Sequence, residues 1–201
     1  MLGGKQCLYM EHLKVRCGVL TGLVLRSLLS VAVSVDINIQ TLRRIFNHLQ
    51  TNSANQFAVA INVPAAKCAA DARPDQNFVT DNLQRVRAAM NSARKVYNGR
   101  QLIAAKPRPI PETTDKHHSE YLLLINSNLP NDPRNNPRSG RSLMGQLLNR
   151  ERNGYVVFYT YNSPCLARCL SPETLQSIIP ALNMFHQHRG PKAFVFHQSF
   201  G

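Results

Sequence analysis

The stretch Tyr155-Val-Val-Phe-Tyr-Thr-Tyr-Asn-Ser-Pro-Cys-Leu-Ala-Arg-Cys169 decides how the chain is read. Its first half, Tyr155–Tyr161, is a β-branched and aromatic run, and predicts a strand. Its second half sets two cysteines four positions apart, just after Pro164, where a helix can begin. On one helical turn Cys165 and Cys169 share a face, with Cβ atoms roughly 5–6 Å apart. A disulfide wants Cβ atoms about 3.5–4.5 Å apart, so a bridge would strain the turn. Two thiolates on one tetrahedral metal sit roughly 3.8 Å apart, a span that flexible χ1 angles reach. A metal clamp fits this spacing better than a disulfide. Two buried thiols are the alternative reading.

Two ligands do not hold a metal, so a third must come from elsewhere. His118-Ser-Glu120 supplies the candidate. His118 offers a ring nitrogen; its neighbour His117 lacks the glutamate two positions on. Glu120 points about half a turn away from His118. It suits a water beside the metal rather than the metal itself, the arrangement for general acid/base work. Glu120 as an ordinary solvated helix residue is the plain alternative. Neither motif is specific alone; their conjunction around a buried strand is.

Outward from these motifs the chain alternates helices and strands. Thr41 is a cap for a helix bearing Leu42, Ile45, Phe46 and Leu49. Phe57–Val63 reads as a strand buried on both faces and ended by Pro64. Leu83, Val86, Met90, Ala93 and Tyr97 predict a helix over Asp81–Asn98, stopped at Asn98-Gly99. Gln101–Ala105 is a short strand, and Lys106–Pro111 a stiff extended linker. Thr113, Thr114 or Asp115 caps a helix containing His117–Ile125. Asn126–Arg141 reads as an exposed basic loop. Ser142 caps a short helix with Leu143, Met144, Leu147 and Leu148. Ser171-Pro172 starts a helix bearing Leu175, Ile178, Ile179 and Leu182, bent at Pro180. Ala193–His197 is the last strand. The pattern is α/β: one domain of helices packed on a central sheet.

The 201 residues carry 24 Lys+Arg against 11 Asp+Glu, a net charge of +13. Such a surface attracts polyanions, whether nucleic acid, anionic lipid or sulfated glycan. Arg134, Arg138, Arg141, Arg150 and Arg152 form either a solvated basic face or a track for phosphates.

At the N-terminus, Lys5, Lys14 and Arg16 precede the apolar run Cys17–Val35, and Ala32-Val-Ser34 offers the small residues of a cleavage site. Residues 1–34 therefore read as a secretory signal peptide, with the folded domain at 35–201. An amphipathic helix of a cytosolic protein is the competing reading. Arg26 interrupts the run, and a charge at mid-bilayer costs roughly 2.5–3.5 kcal/mol, so no stable membrane association is expected. Cleavage leaves Cys68, Cys165 and Cys169, too few for a disulfide scaffold. Nothing in the sequence sets an oligomeric state.

His118-Ser-Glu120 followed by Ser163-Pro-Cys-Leu-Ala-Arg-Cys169 resembles the zinc-dependent nucleobase deaminases, and within them the AID/APOBEC branch. With a signal peptide in front, the chain is most similar to the secreted novel AID/APOBEC-like deaminases. The resemblance implies a three-layer α/β/α domain with a central mixed sheet, and Zn²⁺ held by His118, Cys165 and Cys169. It implies that Glu120 shuttles a proton from zinc-bound water to the base while hydroxide attacks C4 of cytosine and ammonia leaves. The substrate would be single-stranded DNA or RNA, or a free nucleoside such as cytidine. A non-catalytic secreted basic nucleic-acid-binding protein with a zinc site is the remaining reading. Tyr161, Ser163 and Phe200 are candidate substrate contacts; Tyr161 and Phe200 read equally as core or edge aromatics. The chain departs from the branch in three respects. The spacer from Glu120 to Pro164 is longer. The helix at Asp81–Asn98 separates strands that are normally a hairpin. The chain stops at Gly201, just after the fourth strand, so the closing strand and helices are expected to be missing.

Overall fold

The structure, a computed structural model, describes residues 56–68, 79–125 and 142–198. The expected helix after Thr41, the basic loop Asn126–Arg141, the N-terminal segment and Phe200 lie outside the described residues.

A five-stranded mixed sheet forms the centre. Its strands are β1 (Ala58–Val63), β2 (Val96–Asn98), β3 (Leu102–Ala105), β6 (Tyr155–Asn162) and β7 (Lys192–Gln198), in the order β2-β3-β1-β6-β7. Neighbours pair antiparallel except β6 and β7, which run parallel. Every residue of β1 is buried, as its run of small and branched residues requires of a central strand. Ala60 faces Ile103 on one side and Phe158 on the other.

The two faces have different covers. Phe57, Val59, Ile61 and Val63 share one with Leu102, Val157 and Tyr159, and helix α1 (Leu83–Asn91) closes it with Val86 and Met90. Helices α2 (Ser119–Leu124), α3 (Leu143–Arg150) and α4 (Ile179–Gln187) cover the other. Phe185 of α4 meets Phe158 edge-on, ring centroids 6.2 Å apart. Asn62, the one amide in β1, donates from Nδ2 to the carbonyls of Leu147 at 2.9 Å and Glu151 at 2.8 Å. Those carbonyls sit in and just past the last turn of α3, where no intrahelical donor reaches them. The result is the expected α/β/α layering around a mixed sheet.

Local boundaries differ from the sequence reading in four places. The helix over Asp81–Asn98 ends at Asn91, and Val96–Asn98 is instead an edge strand in a hairpin with β3. Asn82 is its cap, accepting from the amides of Gln84 and Arg85. Asp81 is drawn away by the hairpin, accepting from Tyr97 Oη and the amides of Arg100 and Gln101 at 2.7–2.8 Å.

The helix placed at His117–Ile125 begins only at Ser119. Lys116–His117 pair as strand β5 with β4 (Arg108–Pro109), so the proline-rich linker forms a small ribbon.

Cys165–Cys169 is one isolated helical turn rather than a helix start. The helix from Ser171-Pro172 begins only at Ile179, leaving Leu175 95% exposed. Pro180, lacking an N–H, sits in its first turn instead of bending it.

Candidate active site

His118 caps α2 in an extended conformation (φ −67°, ψ 152°), which turns its ring out of the helix. Its backbone N–H donates to Gln176 Oε1 at 3.3 Å, and its carbonyl receives Leu122 N–H at 3.2 Å. The cysteines arrive from the end of β6. Cys169 N–H donates to the Cys165 carbonyl at 3.0 Å, and Ile178 N–H, at the mouth of α4, donates to the Cys169 carbonyl at 2.9 Å. The loop is thus pinned on both sides. Arg168, between the cysteines, pairs with Asp115 beside the ribbon at 3.0 Å.

These supports bring three donor atoms together. His118 Nδ1 lies 3.1 Å from Cys169 Sγ and 3.8 Å from Cys165 Sγ, and the sulfurs are 3.4 Å apart. A disulfide holds its sulfurs at about 2.05 Å, so both thiols are free. The spacing is near the roughly 3.8 Å that two thiolates adopt on a tetrahedral ion. His118, Cys165 and Cys169 are a group that could hold a metal. His117 is not at the cysteines; it stacks on Tyr121 at 5.2 Å.

Electrostatics give a second fit to a cation. Glu120 is 6% exposed, and burial pushes its carboxyl up to about 7, against its own backbone amide and the Ser119 hydroxyl, which donates to Oε2 at 3.3 Å. Burial, then the nearby Glu120 carboxylate, raises the Cys169 thiol well above its ordinary range. Burial and then Arg168 lower His118, which favours the neutral imidazole that binds metals. For this buried carboxyl and this buried thiol to ionise side by side, positive charge is needed between them, and a dication would supply it.

A cavity of about 110 Å³ opens beside these groups, lined by His118, Glu120 and Cys165 together with Phe57, Asn162 and Ser163. Ser163 is therefore at the cavity. Tyr161 is not among its lining residues: it packs on Phe57, ring centroids 6.3 Å apart. Phe57 and Asn162 were missed. Phe57 reads as one more residue of an apolar strand face. The antiparallel register of β1 on β6, extended by Tyr161 N–H donating to the Phe57 carbonyl at 2.9 Å, brings that end of β1 to the end of β6.

A mixed sheet between helical layers, with a histidine, two cysteines and a buried glutamate at one cavity, defines a cytidine deaminase-like α/β protein. The family model for Secreted Novel AID/APOBEC-like Deaminase 1 matches residues 39–201, and the chain belongs to that family. No curated protein and no solved structure matches the chain. No helix among the described residues is long and apolar enough to cross a membrane.

Proposed function

We propose that this chain is a secreted, zinc-dependent deaminase of cytosine in single-stranded nucleic acid. The observation that carries this reading is the buried Glu120 carboxyl beside three convergent donors at one small cavity. His118, Cys165 and Cys169 would hold Zn²⁺, the three-ligand set of a catalytic zinc site. When bound, the metal supplies the Lewis acidity that makes water nucleophilic at neutral pH.

Glu120 takes the proton of the attacking water on its carboxylate. It gives that proton to N3 of the cytosine ring, then carries the second proton, left on the attacking oxygen, to the exocyclic amine. Oxygen ends on C4 and nitrogen leaves as ammonia, giving uracil. In the metal-free chain burial pushes this carboxyl up to about 7, and a carboxyl whose proton is so readily held suits this double role. Phe57 offers the base an apolar wall, and Ser163 and Asn162 offer it polar groups. In duplex the target atom is out of reach, so a single strand or an extruded base is required.

Residues 1–34 carry a net +3 of the chain's +13, so the mature domain keeps +10, which favours a strand over a free nucleoside that needs no such field. Secretion is proposed from the signal-like residues 1–34, with 35–201 as the mature domain. The test compares uracil formation from a single-stranded cytosine oligonucleotide and from cytidine across a salt series. Faster turnover of the oligonucleotide, falling steeply with salt, supports the reading. Equal turnover of cytidine without salt dependence supports nucleoside deamination instead.

A further inference from the structure

A second and larger cavity, of about 510 Å³, lies between α3 and α4 and shares no lining residue with the first. Its size falls in the range of sites that enclose small organic ligands, roughly 300–1,000 Å³. We propose that this cleft is a second nucleotide-binding site, taking a phosphate on Arg152 and Arg189 and the attached base between Leu148 and Met184.

The charge is placed for it. Arg189 and Gly190 both donate backbone N–H to the Arg152 carbonyl, at 3.2 and 3.3 Å, so the two arginines emerge side by side at the cavity rim. Both are exposed, and neither guanidinium has an ion-pair or hydrogen-bond partner among the described residues. Arg150, two positions earlier, is engaged: it bonds the Gly99 and Arg100 carbonyls and Asn98 Oδ1 across the hairpin. Glu151 is the neighbouring acid, and Lys192 adds a third cation near His188. Two arginines held at neighbouring backbone positions on one rim can each offer a forked guanidinium to one phosphate.

The lining favours a nucleotide over a sulfated glycan. A glycan chain needs repeated cations along an open surface, whereas here two cations stand at one end of a concave site. Leu148 and Met184 give it an apolar wall of the kind on which a base stacks, and Asn183 and Gln187 bring amides that pair with base edges.

His188 adds an independent sign. It lines the cavity, is 4% exposed, and donates Nε2–H to the Gly154 carbonyl at 2.8 Å. Nδ1 is left as a buried acceptor without a partner among the described residues. Buried polar atoms are seldom left unpaired, and Nδ1 is covered as it stands, so a turn of the ring that opens it to the cavity would let a sugar hydroxyl or base amine satisfy it.

The site does not depend on the deaminase reading, and its test uses no turnover. The zinc-loaded full chain, with ¹³C-labelled methionine methyls, is titrated with adenosine monophosphate, adenosine, inorganic phosphate, a short oligoadenylate and a heparin oligosaccharide. The Met184 signal is assigned with Met184→Leu. It is expected to shift saturably with adenosine monophosphate, at least roughly tenfold more tightly than with adenosine or phosphate alone. Arg152→Ser combined with Arg189→Ser should remove that tenfold advantage and leave adenosine binding as it was. Both side chains are exposed, so the fold should survive; circular dichroism checks this. A tighter response to oligoadenylate identifies a strand as the natural source, and an equal one a free nucleotide. No shift at Met184, an unchanged response in the double variant, phosphate binding as tightly as the nucleotide, or a response to heparin alone would each overturn the proposal.

Discussion

Cys169 donates its backbone N–H to the Cys165 carbonyl at 3.0 Å while the two sulfurs stand 3.4 Å apart. One turn of chain thus holds two thiols close enough to share an ion and too far apart to be bonded. His118 Nδ1, 3.1 Å from the inner sulfur, completes the group.

The first expectation concerns that ion. Elemental analysis of the purified, zinc-reconstituted chain should give one zinc per chain. Cys169→Ser and His118→Ala should each weaken binding by more than about a hundredfold, since ligands count for more than their supporting shell. Chelation should lower the unfolding free energy by about 2.7 kcal/mol from a state at a hundred times the dissociation constant. Zinc content unchanged in both variants would place the metal elsewhere.

Glu120 should mark the metal-free chain with a pH dependence. Its carboxyl is raised from 4.5 to about 7 on folding, so the folded chain holds a proton that the unfolded chain releases. Its contribution is full below pH 4.5 and lost as pH rises to about 7, on the order of 3 kcal/mol in all. His117 and His188, both lowered by burial, act oppositely and lose stability as pH falls below 6.5. The difference between wild type and Glu120→Gln isolates the carboxyl. Urea titrations of chelated protein at pH 4.5 and 7.5 should show that difference change with pH; a constant difference rejects a raised carboxyl.

Asn62 ties the sheet to α3. Removing its side chain leaves the Leu147 carbonyl without this donor, while the Glu151 carbonyl keeps only the Gly154 N–H at 3.3 Å. Asn62→Ala should cost about 1–3 kcal/mol, the loss of two hydrogen bonds with one acceptor left stranded. Denaturant midpoints at unchanged slope would measure it. A loss under about 0.5 kcal/mol would mean that the tie is not made.

Asp81 anchors the β2–β3 hairpin. The Tyr97 phenol is pushed up to about 12, by burial first and then by its bond to Asp81. In Asp81→Ala the phenol should titrate lower but still above 10, because burial remains. Absorbance of the phenolate against pH reads this directly, and an unchanged titration would show that Asp81 does not hold the ring.

Central elements were legible because their residues repeat a strong pattern. The strands Phe57–Val63 and Tyr155–Tyr161 and the helix capped by Ser142 stand close to where periodicity put them. The convergence of His118, Cys165 and Cys169 was legible because a His-X-Glu triplet and a Pro-Cys-X3-Cys spacing are each written locally, although 47 positions separate His118 from Cys165. Edges were not. Val96–Asn98 became a strand because Asp81, far upstream, holds the hairpin turn, and no window of sequence contains that bond. The cap after the linker slipped from Thr113–Asp115 to His118 because ribbon pairing claims Lys116–His117. Phe57 and Asn162 became cavity residues only through the register of β1 on β6.

The most direct measurement is uracil formed from a single-stranded oligonucleotide carrying one cytosine, by wild type and Glu120→Gln at equal zinc content. Uracil from wild type, with a loss of roughly a hundredfold or more in Glu120→Gln, is the expected result for a residue that moves the proton. Zinc-loaded wild type that forms no uracil from the oligonucleotide or from cytidine, or a Glu120→Gln chain as active as wild type, would contradict the assignment.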